Sequence, residues 1–293
     1  MDRRPYVQTF SIVAGGLACN ACCPFCVAKM TPNQGVKKSL PFINWRNFHL
    51  GAELAKEWGA ATTLISSKGE ATSWPDQITQ FLYHLERHNF PMVELQTNGI
   101  LLAQDSHRNH LRDWYDLGLT TIAISIVSYG SAKNKEIYQP KAKRGLDLIE
   151  LIKKLHAMGF SVRLTAMMLK GFIDCPKELV RLINFCRDFK VEQLTVRPIE
   201  KPVRTDNNAV AEWVEKHTLS VDEKNTISDF LEANAKTLRK LVHGAVVCDF
   251  DGQNICLSNC LTTVPEDPDI RQIIFFPDGH VRYDWTYPGA LLF

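Results

Sequence analysis

The stretch ATTLISSKGEATSWPDQITQFLYHLERHNFPMVELQT, residues 61–97, sets two apolar runs on either side of a segment with helical periodicity. ATTLISS (61–67) reads as a strand, WPDQITQFLYHLERHN (74–89) as a helix, and MVELQT (92–97) as a strand stopped by Asn98-Gly99. The same unit extends outward in both directions. Upstream lie TFSIVAG (9–15), a buried strand, and INWRNFHLGAELAKEWG (43–59), a helix ending at Gly59. Downstream, SHRNHLRDWYDLG (106–118), GLDLIELIKKLHAMG (145–159) and PKELVRLINFCRDF (176–189) read as helices, alternating with strands TIAISIV (121–127), SVRLTAMML (161–169) and EQLTVRPI (192–199). Six strand–helix units follow one another in about 200 residues. Such alternation predicts an α/β fold with a parallel sheet and right-handed crossovers. The strands are near-continuous apolar runs, as expected where both faces are covered.

After RPIEKPVRTDNN (197–208) the pattern changes. A polar helical stretch is expected at roughly 220–243. AVVCDFDGQNICLSNC (245–260) reads as a hairpin turning at Asp251-Gly252, and RQIIFFPDGHVRYDW (271–285) as a second hairpin turning at Asp278-Gly279. Residues 1–205 therefore read as one domain, and 206–293 as a small α+β extension with a sheet of its own.

Composition excludes several function classes. The chain has 293 residues, 45% of them hydrophobic and 23% charged, with a net charge of +2. It can bury a core without staples. Near-neutral charge gives no general pull toward nucleic acid or a membrane surface, and dense basic sequence occurs only at 141–144. No apolar run approaches the ~20 residues needed to span a bilayer. MDRRPYVQTFSIVAGGLAC (1–19) imitates a lipoprotein signal, but Gln8 and Thr9 interrupt its apolar stretch. Nine cysteines is an odd number for a disulfide scaffold, so a reducing cytoplasm is the expected setting.

Four of those cysteines crowd GGLACNACCPFCVAKM (15–30), the loop after the first strand. In a parallel α/β sheet, ligands bind at the carboxyl ends of strands. Cys19, Cys22, Cys23 and Cys26 could hold zinc as two overlapping Cys-x-x-Cys pairs, although eight contiguous residues approach a tetrahedron poorly. A redox disulfide or incidental thiols are further readings. A fourth is an iron–sulfur cluster: Cys19, Cys23 and Cys26 form Cys-x3-Cys-x2-Cys, which can bind three irons of a [4Fe–4S] cluster and leave one open. Cys22 is then a bystander.

Cys-x3-Cys-x-aromatic-Cys, with Phe25 as the aromatic, resembles the radical S-adenosylmethionine superfamily. The resemblance covers about residues 8–200 and implies a partial (β/α)6 TIM-like barrel open on one side. Further marks lie at later strand ends. SSKGEATS (66–73) is similar to the family's Gly-Gly-Glu motif, with Lys68 in place of the first glycine. It implies that Gly69 permits a tight backbone and that Glu70 accepts a hydrogen bond from the methionine ammonium. An ordinary turn also accounts for these residues. Thr97 and Asn98, Ser125, and Arg163 resemble positions near the cofactor, and Val196 and Arg197 lie where the family makes backbone contacts to adenine. An Asn-Gly turn equally explains Asn98, and a structural carboxylate would equally explain Arg163.

What the resemblance implies is an oxygen-sensitive enzyme with a [4Fe–4S] cluster on Cys19, Cys23 and Cys26, S-adenosylmethionine, and a one-electron reductant such as flavodoxin or ferredoxin. The substrate is not legible. Only about eight residues precede the first strand, so no peptide-binding arm is evident, which tilts the reading toward a small molecule or nucleotide. A non-catalytic zinc- or cluster-binding regulator and an RNA-modifying enzyme of the same family remain as alternatives. Family members often carry an auxiliary cluster, for which Cys248, Cys256 and Cys260 are candidates. With a three-residue loop at 251–253, Cys248 would face Cys256 across the hairpin, within ~5.5 Å. Cys260 lies ~13 Å further along an extended strand, and buried structural thiols are the competing reading.

Overall fold

The computed structural model describes residues 5–40, 42–104, 107–141, 145–241, 243–258 and 269–293. Along the chain run β1 (Val7–Val13), α1 (Val27–Met30), α2 (Trp45–Glu57), β2 (Thr62–Ser66), α3 (Pro75–Glu86), β3 (Met92–Thr97), α4 (Arg108–Asp116) and β4 (Thr121–Ile126). Then come α5 (Ser131–Tyr138), α6 (Leu148–Ala157), β5 (Ser161–Met168), α7 (Pro176–Asp188), β6 (Gln193–Pro198), α8 (Asn208–His217) and α9 (Val221–Asn234). The chain continues through β7 (Lys236–Lys240), β8 (Val246–Phe250), β9 (Gln253–Leu257), β10 (Ile270–Phe275) and β11 (Val281–Arg282). Helix starts carry local signals. The Asn44 side chain accepts from the Asn47 N–H to open α2, Asp147 does the same for Glu150 at α6, and Pro75 begins α3.

Strands β1 to β6 pair in parallel and in sequence order, as the alternation predicts, and form the unclosed partial barrel that the family resemblance implies. The core lies between the outer faces of these strands and the inner stripes of the helices. There Phe10, Ile65, Leu95, Ile124 and Leu164 are fully buried, along with Phe48, Phe81, Trp114 and Ile183. The opposite strand faces differ from the expected apolar pattern. In register across the sheet stand Gln96, Ala123 and Arg163, and one layer on, Ser125, Thr165, Thr195 and Cys256. TIM barrels fill this space with branched apolar side chains. Here the barrel face is polar and leaves room.

The C-terminal hairpins do not form a sheet of their own, which corrects the sequence reading. β9 pairs in parallel with β6, and β10 pairs in parallel with β1, so the described strands make one eleven-stranded sheet in the order β11-β10-β1-β2-β3-β4-β5-β6-β9-β8-β7. The physical reason is that an open six-stranded barrel has two unpaired edges, and each hairpin satisfies one of them. The helix expected over 220–243 stops at Asn234, and β7 follows. All five β7 residues are exposed, so this edge strand has no apolar face to signal it.

The β8–β9 hairpin also corrects the expected cysteine pairing. Asp251 and Gly252, both at positive φ (49° and 86°), form a two-residue turn that places Phe250 opposite Gln253. Cys248 is therefore opposite Ile255, and Cys256 opposite Val247. A one-residue change of register sends side chains to opposite faces, so Cys248 and Cys256 cannot share one cluster. Cys260 lies outside the described residues, as do Ala142, Lys143 and Arg144 of the basic tract.

On the outer side of the barrel, His49 of α2 bridges His84 and His88. Its Nδ1 lies 2.8 Å from His88 Nε2, and its Nε2 lies 3.0 Å from His84 Nδ1. Each contact needs one donor and one acceptor, which a relay of three neutral imidazoles supplies. Burial first, then Arg87 and the neighbouring rings, lower the His49 pKa from 6.5 to about 4, and His84 and His88 also move down. The folded state thus binds these protons less readily than the unfolded chain. The stabilisation is complete above the ordinary histidine pKa and is lost as pH falls from there toward about 4. Thermal unfolding followed at pH 7 and pH 5 should show a steeper loss of midpoint for the wild type than for His49→Gln. Parallel losses would contradict this assignment.

Candidate active site

The loop between β1 and α1 is fixed by two close approaches. Gly15 has φ +73°, and a Cβ there would stand 2.1 Å from the Trp74 ring; its N–H donates to Gln77 Oε1. A Cβ on Gly69 would stand 2.1 Å from the Ala18 carbonyl oxygen, and the Glu70 N–H donates to that same oxygen at 3.0 Å. Only glycine at 69 lets the loop after β2 lie against the cysteine loop.

This contact builds one cavity, about 210 Å³ in volume, at the carboxyl ends of the strands. Cys19, Cys23 and Cys26 all line it, with Phe25 beside them. Cys22 is exposed and receives Lys29 Nζ at 3.8 Å, outside the lining. Burial, then Cys26 and Cys19, push the Cys23 thiol up to about 12, and burial also raises Cys19. Three thiolates gathered here are costly unless a cation compensates them. Among the described residues, no three of His, Cys, Asp and Glu converge closely enough for a single metal ion. Three cysteine thiols lining one cavity are a donor set that suits a multi-iron core.

Glu70, only 4% exposed, holds the next wall. Its Oε1 accepts from the Thr72 N–H (3.1 Å), Thr72 Oγ1 (2.7 Å) and Thr97 Oγ1 (2.7 Å), and its Oε2 accepts from the Asn98 N–H (2.9 Å). Oε2 thus keeps acceptor capacity. Asn98 Nδ2 donates to Asn20 Oδ1 at 2.7 Å, linking the end of β3 to the cysteine loop. Gly69, Glu70, Thr97, Asn98 and Ser125 all line the cavity.

Two expected residues stand elsewhere. Arg163 does not line this cavity: its Nη2 donates to Glu94, so the structural carboxylate is the partner the sequence left open. Val196 is fully buried, and its carbonyl accepts from the Ser258 N–H at 3.0 Å, because β9 occupies the edge of β6. Lys68, standing where the family has glycine, turns to Thr31 Oγ1 at 2.5 Å and lies 5.6 Å from the Trp285 ring centroid. Burial lowers its pKa to about 8.

Sequence reasoning missed Gln96, Met167, Glu200 and Tyr138 in the lining. Gln96 and Met167 share their strand faces with Glu94 and with Arg163 and Thr165, so alternation alone could have marked them. Tyr138 ends α5 with no motif around it. It is 6% exposed, and its hydroxyl has no partner among the described residues. Burial, Cys23 and Glu70 hold its phenol well above the usual pKa, so it enters the cavity as an unused O–H donor.

The Radical SAM superfamily model matches residues 15–183. Residues of this chain are 28% identical over 131 positions to the GTP 3′,8-cyclase of Aquifex aeolicus (strain VF5), a match covering 45% of this chain and 37% of that protein. Among solved structures, Streptococcus suis SuiB bound to S-adenosylmethionine has the same fold (TM-score 0.58, 16% identity, 94% of this chain and 60% of that one). Native anSMEcpe with bound AdoMet is similar as well (TM-score 0.56, 11% identity, 96% of this chain and 75% of that one). The chain thus spans less than two thirds of the cyclase and of SuiB. The family's enzymes use a [4Fe–4S] cluster and S-adenosylmethionine, and the cavity's three thiols and unpartnered phenol fit that pair. With the family model covering more than half of its length, this chain belongs to the radical SAM superfamily of enzymes.

Proposed function

We propose that this chain binds a [4Fe–4S] cluster through Cys19, Cys23 and Cys26 and S-adenosylmethionine beside it, and acts on a small-molecule or nucleotide substrate. One observation carries the reading: these three cysteines, and not Cys22, line the same cavity as Glu70, Thr97, Asn98 and Ser125. When bound, the two cofactors supply a one-electron cleavage that yields a 5′-deoxyadenosyl radical able to take hydrogen from an unactivated carbon.

The chain's own task is to place and shield that chemistry. Glu70 is rigidly held by four donors, which suits it to accept from the methionine ammonium through Oε2. Asn98, Ser125 and Tyr138 offer further polar groups, and Phe25 packs edge-on to Tyr138 at 6.1 Å between ring centroids. Arg163 and Val196 do not line this cavity and are left out of the proposed S-adenosylmethionine site. Residues 206–293 serve as an extension over the barrel opening, where His243 and Arg271 contribute to the barrel's second cavity. An auxiliary cluster on Cys248, Cys256 and Cys260 is not part of the proposal.

The electron comes from a one-electron reductant of the flavodoxin or ferredoxin class, and the setting is a reducing cytoplasm. Among the described residues no helix is long and apolar enough to cross a membrane. The cyclase relative supports a nucleotide among the small-molecule substrates.

Iron and acid-labile sulfide per chain, measured after anaerobic reconstitution, test the cofactor. About four of each is expected for a single cluster. Zinc without iron would overturn the proposal.

A further inference from the structure

A second cavity of about 170 Å³ lies in the barrel against the first, sharing Gln96 and Arg197 as common walls. Its lining comes from the polar barrel faces of the sheet and from both C-terminal hairpins. Arg163, Arg197 and Arg271 line it, and among the described residues no Asp or Glu does. Arg163 is matched by Glu94. The Arg197 side chain makes no hydrogen bond or ion pair among the described residues, although the residue is half-buried between the two cavities. His243, on the turn between β7 and β8, is 8% exposed, and its Nδ1 is buried without a partner among the described residues. The Nε of Arg163 and Oε1 of Gln8 are likewise buried and unpartnered.

Unused buried donors cost free energy unless a ligand meets them. A guanidinium fork matches the paired oxygens of a carboxylate or phosphate. A chamber lined by arginines, with no acid and an unpartnered imidazole Nδ1 among the described residues, is therefore complementary to an anion. Gln96 and Arg197 line both cavities, so this chamber stands directly beside the cysteine-lined one.

We infer that this chamber binds an anionic group of the substrate, a carboxylate or a phosphate, through Arg197 and His243, and so holds the substrate's reacting carbon toward the upper cavity. The inference rests on the proposed radical chemistry and names the class of substrate it would use.

The test is calorimetric titration of the anaerobically reconstituted, S-adenosylmethionine-loaded protein with inorganic phosphate and, separately, with acetate. One of the two is expected to bind, and which one identifies the group. Arg197→Gln should weaken that binding about tenfold or more, with Arg197→Lys retaining part of it. His243→Asn, on the turn between β7 and β8, provides a second variant should Arg197→Gln fail to fold, and should weaken binding as well. Binding of neither anion to the wild type would overturn the inference, as would wild-type affinity in folded Arg197→Gln or, where that variant does not fold, in His243→Asn. The formation of 5′-deoxyadenosine by the wild type, assayed alongside, separates the two claims. Cleavage without anion binding removes only the anionic substrate, whereas no cleavage removes the radical chemistry itself.

Discussion

Cys23→Ala is expected to abolish 5′-deoxyadenosine formation and to deprive the chain of a stable cluster, while Cys22→Ala leaves both in place. The two residues are neighbours in sequence, yet Cys23 lines the cavity with Cys19 and Cys26, and Cys22 is exposed beside Lys29. A cluster held by three thiolates has no spare protein ligand. Burial, with Cys26 and Cys19 beside it, pushes the Cys23 thiol up to about 12, so its thiolate needs a compensating cation. Iron content and product formation of the two variants, measured side by side, check this. Equal loss in both variants would mean that the loop supports all four cysteines together and that the ligand assignment is wrong.

Glu70→Gln carries the second large effect, on two separate readouts. The carboxylate accepts from four protein donors, three on Oε1 and one on Oε2. An amide has one acceptor end, so either orientation turns its NH2 toward an N–H or O–H donor in a buried site. The cost should be about 1–3 kcal/mol of stability, read by chemical denaturation. Loss of the negative charge should also weaken S-adenosylmethionine binding about tenfold or more, read by equilibrium dialysis on folded protein. A purely structural Glu70 would lower stability and leave the affinity of the folded fraction unchanged.

Much of the fold was legible because it is local. The strand MVELQT coincides with β3, and the helix 176–189 differs from α7 by one residue, since apolar period and turn residues are written within each segment. The placement of the hairpins was not local. β10 pairs with β1 from 263 residues away, and nothing in RQIIFF distinguishes an added barrel-edge strand from one of a separate sheet. β7, KTLRK, has no apolar face to give it a period. The cysteine pairing failed on one residue of turn length, Asp251-Gly252 rather than 251–253, which is enough to invert a face.

The site divided in the same way. Residues tied to strand ends by motif, from Cys19 to Asn98, meet in one cavity because each strand end in a parallel barrel points to the same side. Arg163 lies near the start of its strand rather than the end, and its charge is answered by Glu94 on β3, a partner that only the assembled sheet brings near. Tyr138 sits on a helix between units, so strand-by-strand reading passes over it.

The most direct measurement is single-turnover formation of 5′-deoxyadenosine by the anaerobically reconstituted wild-type chain, reduced in the presence of S-adenosylmethionine. The account predicts that this product and methionine appear together, and that neither appears in Cys23→Ala. Full reconstitution with iron and sulfide, followed by no cleavage under strong reductant, would contradict it.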